Sequence, residues 1–382
     1  MNNKSMKGSW AAGFSIASVW FATHVGAGFA TGNQILNYYV KYGWTAIIYP
    51  ILAMSILGYA MYVIMKFCKL NNITNYKDAF QELWKPYPKL GVVFEIFYIL
   101  IILAAISAAI NGMALLMSDA LGISVLLSTL IIIAGLLILS MFGVRLIIAA
   151  STWLSIAILI TSGIIIFAGS YEHMPEIAMA FQEEPLNPVE ASWKGIFIYA
   201  GFQCVSMPIV ISASSILNVK GIRKAAILGG IMNGGMLALF GFMLLGYYHK
   251  IIELGQDALP NLFVCEVIGW KWLIIVYSIL LFSAFTSTCV TLVYTSILRF
   301  EPKFVPRLIK SVNIRKIIVG IIIIGLCMNL SFLGISNIVI HMYSYAGYIG
   351  IFGIIIPIII IGNIKNKRIT NERNHEIDKN DE

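Results

Sequence analysis

The chain has 382 residues, of which 59% are hydrophobic and 12% charged, with a mean hydropathy of +0.86. A soluble domain carries about a quarter charged residues. The apolar runs here reach about 20 residues or more, the length that crosses a hydrocarbon core of about 30 Å. An all-α polytopic membrane protein is expected, with too few alternating segments for an outer-membrane barrel. The net charge of +8 does not point to nucleic acid, because the basic residues sit in short connections and the C-terminal segment with no nucleic-acid motif beside them.

Ten spans are predicted, at 10–40, 43–68, 91–118, 123–142, 145–169, 193–217, 224–248, 270–298, 315–333 and 336–362. The first segment is too long for a signal peptide and lacks a small-residue cleavage site. Within it runs Thr23-His24-Val25-Gly26-Ala27-Gly28-Phe29-Ala30-Thr31-Gly32. Glycines weaken a helix interior, and backbone groups freed at bilayer depth survive only where protein buries them or a cavity lies beside them. A broken first helix is expected, of the kind that forms midplane substrate sites in secondary transporters.

Lys and Arg set the orientation. With the N-terminus inside, 22 of the 26 basic residues fall in cytoplasmic segments, leaving Lys41, Lys194, Lys250 and Lys271 outside. Both termini are expected in the cytoplasm. The loop 171–192 holds five glutamates and no Lys or Arg; it reads as an ordinary solvated external loop, or as one that draws cations towards a vestibule. Residues 75–89 suggest a short amphipathic helix at the interface. The polar segment after Lys365 is expected to be disordered. The five cysteines, Cys68, Cys204, Cys265, Cys289 and Cys327, are scattered and imply neither a disulfide nor a metal site.

Ten spans divide into five plus five, and an odd number per half inverts one half against the other. The repeats would be 1–170 and 193–364, separated by the loop 171–192 and followed by a cytoplasmic tail, 365–382. Ser9-Trp10 opens the first span and Ser192-Trp193 the sixth. That offset carries Thr23 over Ser206 and His24-Val25 over Met207-Pro208, so the glycine-rich interruption falls opposite a proline. Helices 1 and 6 are therefore both expected to be broken, Pro208 removing a donor and disrupting the turn before it.

Carbonyls freed near His24 to Gly28 suit a small cation, and the N–H end of the following half-helix suits a carboxylate. Gln203 and Ser206 can orient a polar ligand in the sixth span. Close helix packing is the bland reading of the same glycines. The run Ser283-Ala284-Phe285-Thr286-Ser287-Thr288-Cys289-Val290-Thr291 in the eighth span offers hydroxyls for a sodium ion, or simply back-bonds to its own helix. His24 can bind solute, carry a proton or be structural. His341 reads as structural or vestibular, and Glu95, near a helix end, as snorkelling or gating.

The run Val25-Gly26-Ala27-Gly28-Phe29-Ala30-Thr31-Gly32 resembles the first-helix signature of the YkvI-type bacterial membrane proteins. That group is similar to the amino acid–polyamine–organocation superfamily with the LeuT-like fold, and the resemblance covers nearly the whole chain. It implies a sodium site between the break in helix 1 and a hydroxyl pair in helix 8: carbonyls of Ala22 and Val25, the carbonyl of Ser283, and the hydroxyls of Thr286 and Ser287. His24 departs from the small residues usual beside that break, which leaves proton coupling open.

The expected function is a cation-coupled secondary transporter, driven by sodium or protons, for a small polar or amino-acid-like solute in the bacterial plasma membrane. Thr23, His24, Gly26, Gly28 and Phe29, with Phe202, Gln203 and Ser206, would hold the solute. The alternative is a non-transporting, ligand-sensing subunit like those of spore germination receptors. An enzyme is disfavoured, since no serine sits in a nucleophile elbow. So is a transition-metal carrier, since no acidic ligand sits in the first break. No cofactor beyond the coupling ion is expected, and the partners are the solute and the bilayer. Single-cysteine accessibility labelling in cells should find the 171–192 loop outside and the 299–316 loop and both termini inside; labelling of the two termini from opposite sides would remove the five-plus-five reading.

Overall fold

A computed structural model describes residues 8–24, 27–140, 144–185, 187–304, 309 and 311–381. Every regular element among them is helical. The first predicted span comprises α1 (Trp10–His24), a single turn α2 (Ala27–Ala30) and α3 (Asn33–Tyr38). Val25 and Gly26, the centre of the predicted break, lie outside the described residues. There follow α4 (Thr45–Leu70), α5 (Tyr76–Leu83), α6 (Val92–Leu121), α7 (Val125–Ile138), α8 (Val144–Glu172) and α9 (Met174–Ala180). The second half holds α10 (Trp193–Phe202), α11 (Met207–Ser214), α12 (Val219–Leu245), α13 (Tyr248–Glu253), α14 (Pro260–Ile268), α15 (Lys271–Phe304), α16 (Val312–Ser331) and α17 (Ile335–Arg373).

Seven of the described helices are long and apolar enough to cross a membrane, and an eighth candidate is the pair Ile156–Glu172 and Met174–Ala180, bent by 79°. Their starts follow from local chemistry. Ser124, Asn218 and Asn75 each accept an N–H from the first turn of α7, α12 and α5, satisfying donors that have no partner inside the helix. Proline opens α9, α11 and α14, where its missing N–H costs nothing.

Two expectations change here. Pro208 does not cut the sixth span: it sits in the first turn of α11, and the chain stays helical from α10 through a four-residue 3₁₀ turn, Gln203–Ser206. The tighter turn accommodates the proline without a gap. The segment after Lys365 is helical to Asp381, because it continues α17 and has partners. Asn366 Nδ2 donates to Val63 O at 3.0 Å, Lys365 Nζ to Glu82 O at 2.7 Å, and Arg373 to Leu70 O at 2.6 Å. The amphipathic helix expected within 75–89 is present as α5, which buries Ala79, Phe80 and Leu83.

The helices form two groups. α12 packs along α4 and α1, and α10 packs on α4; α15 packs on α6, α8 and α16, with α7 beside α6. α17 runs between, against α10, α6 and α4. Close approach in the first group relies on glycine. A side chain at Gly229 would collide with Trp20, and one at Gly201 with the backbone of Gly347, the small-residue packing that membrane helices use. Glu95 of α6 pairs with Arg299 of α15, whose guanidinium also donates to the Tyr76 hydroxyl at 3.2 Å and lies 5.1 Å from the Tyr98 ring centroid.

α2 and α3 are held from one side by α14 and its approach. Asn261 donates its N–H to Thr31 O at 3.0 Å and its Nδ2 to Ala30 O at 3.1 Å, and the Tyr277 hydroxyl donates to Ala30 O as well. Gly32, at φ +79°, brings its Cα against the Asn261 amide. Gly32→Ala therefore forces both a left-handed L-residue and displacement of Asn261. A loss of at least about 1–2 kcal/mol from the backbone alone is expected, seen as a lower melting temperature in detergent. A melting temperature equal to wild type would refute the role given to this contact.

A candidate solute site at the interruption of the first span

Between the two helix groups, beside the end of α1, lies a cavity of about 300 Å³. Its polar wall is Thr23, His24, Thr31, Gln34, Gln203, Thr288, Thr291 and Thr295; its apolar wall includes Phe29, Phe202, Phe285 and Tyr343. Among the described residues no Asp, Glu, Lys or Arg lines it. A few placed polar groups in an apolar concavity of this size are what a small-molecule site requires.

His24 is buried, 4% exposed, and its ring is held from two other helices. Nδ1 lies 2.5 Å from Asn233 Oδ1 of α12, and Nε2 lies 2.9 Å from the Tyr199 hydroxyl of α10. Phe29 packs edge-on against the ring, with centroids 5.2 Å apart. Gln34 of α3 reaches the same Tyr199 hydroxyl at 3.5 Å. A side chain at Gly28 would collide with the Gln34 amide, so glycine there makes room for Gln34 in the wall.

Of the expected solute residues, Thr23, His24, Gly28, Phe29, Phe202 and Gln203 line the cavity. Ser206 does not; it is buried, and its hydroxyl donates to Gln203 O at 2.8 Å. Gly26 lies outside the described residues. Of the expected ion ligands, Val25 also lies outside them, and Ala22 is exposed in the last turn of α1, where carbonyls have no intrahelical partner. Thr286 turns towards α6, donating to Phe282 O at 2.9 Å and meeting Met113 Sδ at 3.4 Å, and the Ser283 hydroxyl donates to Ile279 O at 2.7 Å.

On α15 the residues in the cavity wall are Phe285, Thr288, Thr291, Leu292 and Thr295. Their spacing of three and four marks one helix face, a signal present in the sequence and passed over for the adjacent Thr286 and Ser287. Gln34, Tyr199 and Asn233 are the other functional candidates that the sequence reading missed. Tyr199 and Asn233 are lone polar residues in apolar runs, and Gln34 stands in the polar stretch Thr31 to Asn37 that follows the glycine run.

The cavity is closed towards α14 by the contacts on Ala30 and Thr31. Asn33 adds to the closure, donating Nδ2 to Asp257 O at 2.5 Å and to the Ser336 hydroxyl at 2.8 Å. In the other direction it meets a second cavity of about 610 Å³, which shares Tyr98 and Thr295 with it and is lined further by Tyr76, Lys77, Lys89, Glu95 and Arg299. The site is thus covered by hydrogen-bonded backbone towards α14 and adjoins a polar cavity at Tyr98 and Thr295.

No family model matches the chain. It is 25% identical over 232 residues to the uncharacterized membrane protein YkvI of Bacillus subtilis (strain 168), a match that spans 57% of this chain and 62% of that relative's length. Solved structures with the same fold include the inward-facing conformation of Mhp1 (TM-score 0.60, 14% identity, 89% of this chain and 75% of that one). They also include a Na+-coupled sialic acid symporter in a substrate-bound outward-open state (TM-score 0.59, 14% identity, 94% and 89%). The YkvI-type resemblance expected from the glycine run is borne out by the first match, and the LeuT-like fold by the other two. These neighbours are transporters rather than enzymes.

Asn233 accepts from His24 and donates from Nδ2 to Gly229 O at 2.7 Å. Asn233→Leu removes both bonds and leaves the ring N–H buried without a partner, at a cost of about 1–3 kcal/mol. A clear fall in melting temperature is expected, while a surface control such as Lys194→Ala stays within error. Equal melting of the Asn233→Leu and wild-type proteins would show that the His24–Asn233 bond is absent.

Proposed function

We propose that the protein is a cation-coupled secondary transporter of a small, net-neutral polar solute, working by alternating access around the cavity at His24. The observation that carries this reading is the cavity itself: polar groups without formal charge, set in an aromatic wall, covered towards α14 and adjoining a larger polar cavity on the opposite side. A solute with net charge would stand there with no counter-charge, which costs several kcal/mol in a low-dielectric site. A neutral polar molecule avoids that cost, and a zwitterion lowers it because its two charges offset each other and hydrogen-bond to the wall.

In this reading α1 to α3 form the first of ten spans, α7 and α8 the fourth and fifth, and α10 with α11 the sixth, as two inverted repeats, 1–170 and 193–364. Both termini face the cytoplasm of a bacterial cell, and the larger cavity, lined by Lys77, Lys89 and Arg299, lies on that side. Support comes from the fold shared with a Na+-coupled symporter and from the basic residues of the connections. The coupling ion is assigned to sodium, drawing on the carbonyls at the end of α1 (Ala22, Val25), the Ser283 carbonyl and the Thr286 and Ser287 hydroxyls of α15, with the Thr288 hydroxyl, which lines the cavity, as a further ligand.

Proteoliposomes offered radiolabelled L-amino acids under an inward sodium gradient, a pH gradient or neither test this directly. Sodium-driven accumulation is expected. Thr288→Val should weaken the sodium dependence about tenfold or more, beyond the roughly 1 kcal/mol typical of one lost hydrogen bond, and Thr286→Ala less, because its hydroxyl is already engaged by Phe282 O. Uptake that ignores both gradients would leave a facilitator. No uptake with retained ligand stabilisation would favour the sensing subunit.

A further inference from the structure

The hydrogen bonds around His24 have a direction that proton counting fixes. Asn233 Nδ2 donates to Gly229 O at 2.7 Å, one turn earlier on α12. The atom facing His24 Nδ1 at 2.5 Å is therefore the oxygen, Oδ1. It can only accept, so the ring carries its proton on Nδ1. In the uncharged imidazole Nε2 is then a bare acceptor, and the Tyr199 hydroxyl at 2.9 Å gives it the one proton it has.

The Gln34 amide also meets that hydroxyl, with its Oε1 placed at 3.5 Å. Tyr199 has no second proton to offer, only a lone pair, so the amide must meet it with its NH2 group. A 180° rotation of a glutamine amide exchanges oxygen and nitrogen without changing its shape. In this orientation each group from Asn233 to Gln34 has a complementary partner. The rotation puts Oε1 beside Gly28 at the interruption, on a side chain that is 3% exposed and in the cavity wall.

We propose that Gln34 is the polar anchor of the solute site and presents a carbonyl oxygen there, so that the site selects solutes offering an N–H donor. The class is a net-neutral molecule bearing an ammonium or amide N–H, as opposed to a quaternary ammonium of the same net charge. This rests on the reading of the cavity as a solute site. A buried acceptor left unmatched is costly, and a site built to hydrogen-bond an N–H rejects the analogue that lacks it by as much as about 10⁴-fold. Gln34 acts through the direction imposed on it: His24 and Asn233 never need to touch the solute for this selection to operate.

Two measurements test it. In the first, protein labelled with ¹⁵N-histidine is placed in nanodiscs at neutral pH, with the His24 signals assigned from a His24→Gln sample. The proton is expected on Nδ1; a proton on Nε2, or on both nitrogens, overturns the proposal. In the second, thermal stabilisation of the wild-type protein by L-valine and L-phenylalanine is compared with stabilisation by their N-trimethyl betaines, which keep the net charge and lose every N–H. The amino acids should act at concentrations at least about 100-fold lower, and in Gln34→Met the two series should come within about threefold of each other. Betaines that bind the wild type as well as the amino acids overturn the anchor and leave the solute reading standing. Binding of neither series removes the zwitterion reading of the cavity, and the ring-proton measurement then decides the anchor by itself.

Discussion

Backbone groups that leave a helix inside a membrane must find partners within the protein, since lipid offers none and each orphan costs several kcal/mol. The first span meets this constraint through its neighbours. Ala30 O takes two donors, Asn261 Nδ2 and the Tyr277 hydroxyl, and Thr31 O takes the Asn261 N–H. The Thr31 side chain completes the local set, donating to Gly28 O at 3.0 Å and accepting from Asn33 N at 3.1 Å. Asn261, in the first turn of α14, also covers the cavity on that side. Satisfying the interrupted backbone and covering one side of the site are thus a single act.

The same constraint explains where the polar side chains sit. His24 bonds α1 to α10 and α12 through two uncharged partners. A fully satisfied network of this kind fixes a unique packing where a partly satisfied one would weaken it. On the other side of the cavity the threonines of α15 are spaced along one face and back-bond to their own helix where the structure records a bond, as Thr295 does to Thr291 O at 2.9 Å. One wall has its polar groups cross-linked between helices, and the other takes its hydroxyls from α15 and apolar side chains such as Ile101, Ile102 and Ala105 from α6.

The all-helical, multi-span character is legible in the sequence, because length and hydropathy mark the apolar runs, and seven described helices are long and apolar enough to cross a membrane. His24, Gly28, Phe202 and Gln203, which line the cavity, are marked in the sequence because they sit inside the glycine run or opposite it. Tyr199 and Asn233 carry no such mark, since a lone polar residue in an apolar helix has no periodic signal, and Gln34 is not distinguished in sequence from its polar neighbours Asn33 and Asn37. The partners of all three come from distant parts of the chain. Pro208 misled for a different reason: the sequence shows that a donor is missing but not whether the proline falls in a first turn, where the donor is not needed. The helix after Lys365 was missed because its polar residues look solvated until the carbonyls of Val63, Leu70 and Glu82 are brought beside them.

The division of the walls bears on how binding can become movement. A ligand shifts a conformational equilibrium only by as much as its affinity differs between the two states. His24, Gln34 and Gln203 belong to α1, α3 and the turn after α10, whereas Thr288 and Thr291 belong to α15, in the other helix group. A solute held by one wall alone would bind equally well wherever the other stood. One that reaches both walls binds best where they stand at the right separation, and so favours that arrangement over the wider one. The apolar filling between them, Phe29, Phe202, Phe285 and Tyr343, gains from the same approach by losing contact with water. Spreading the polar contacts over two helix groups is therefore what lets the solute act on the separation between them, and a site built wholly within the His24 network would lack that lever.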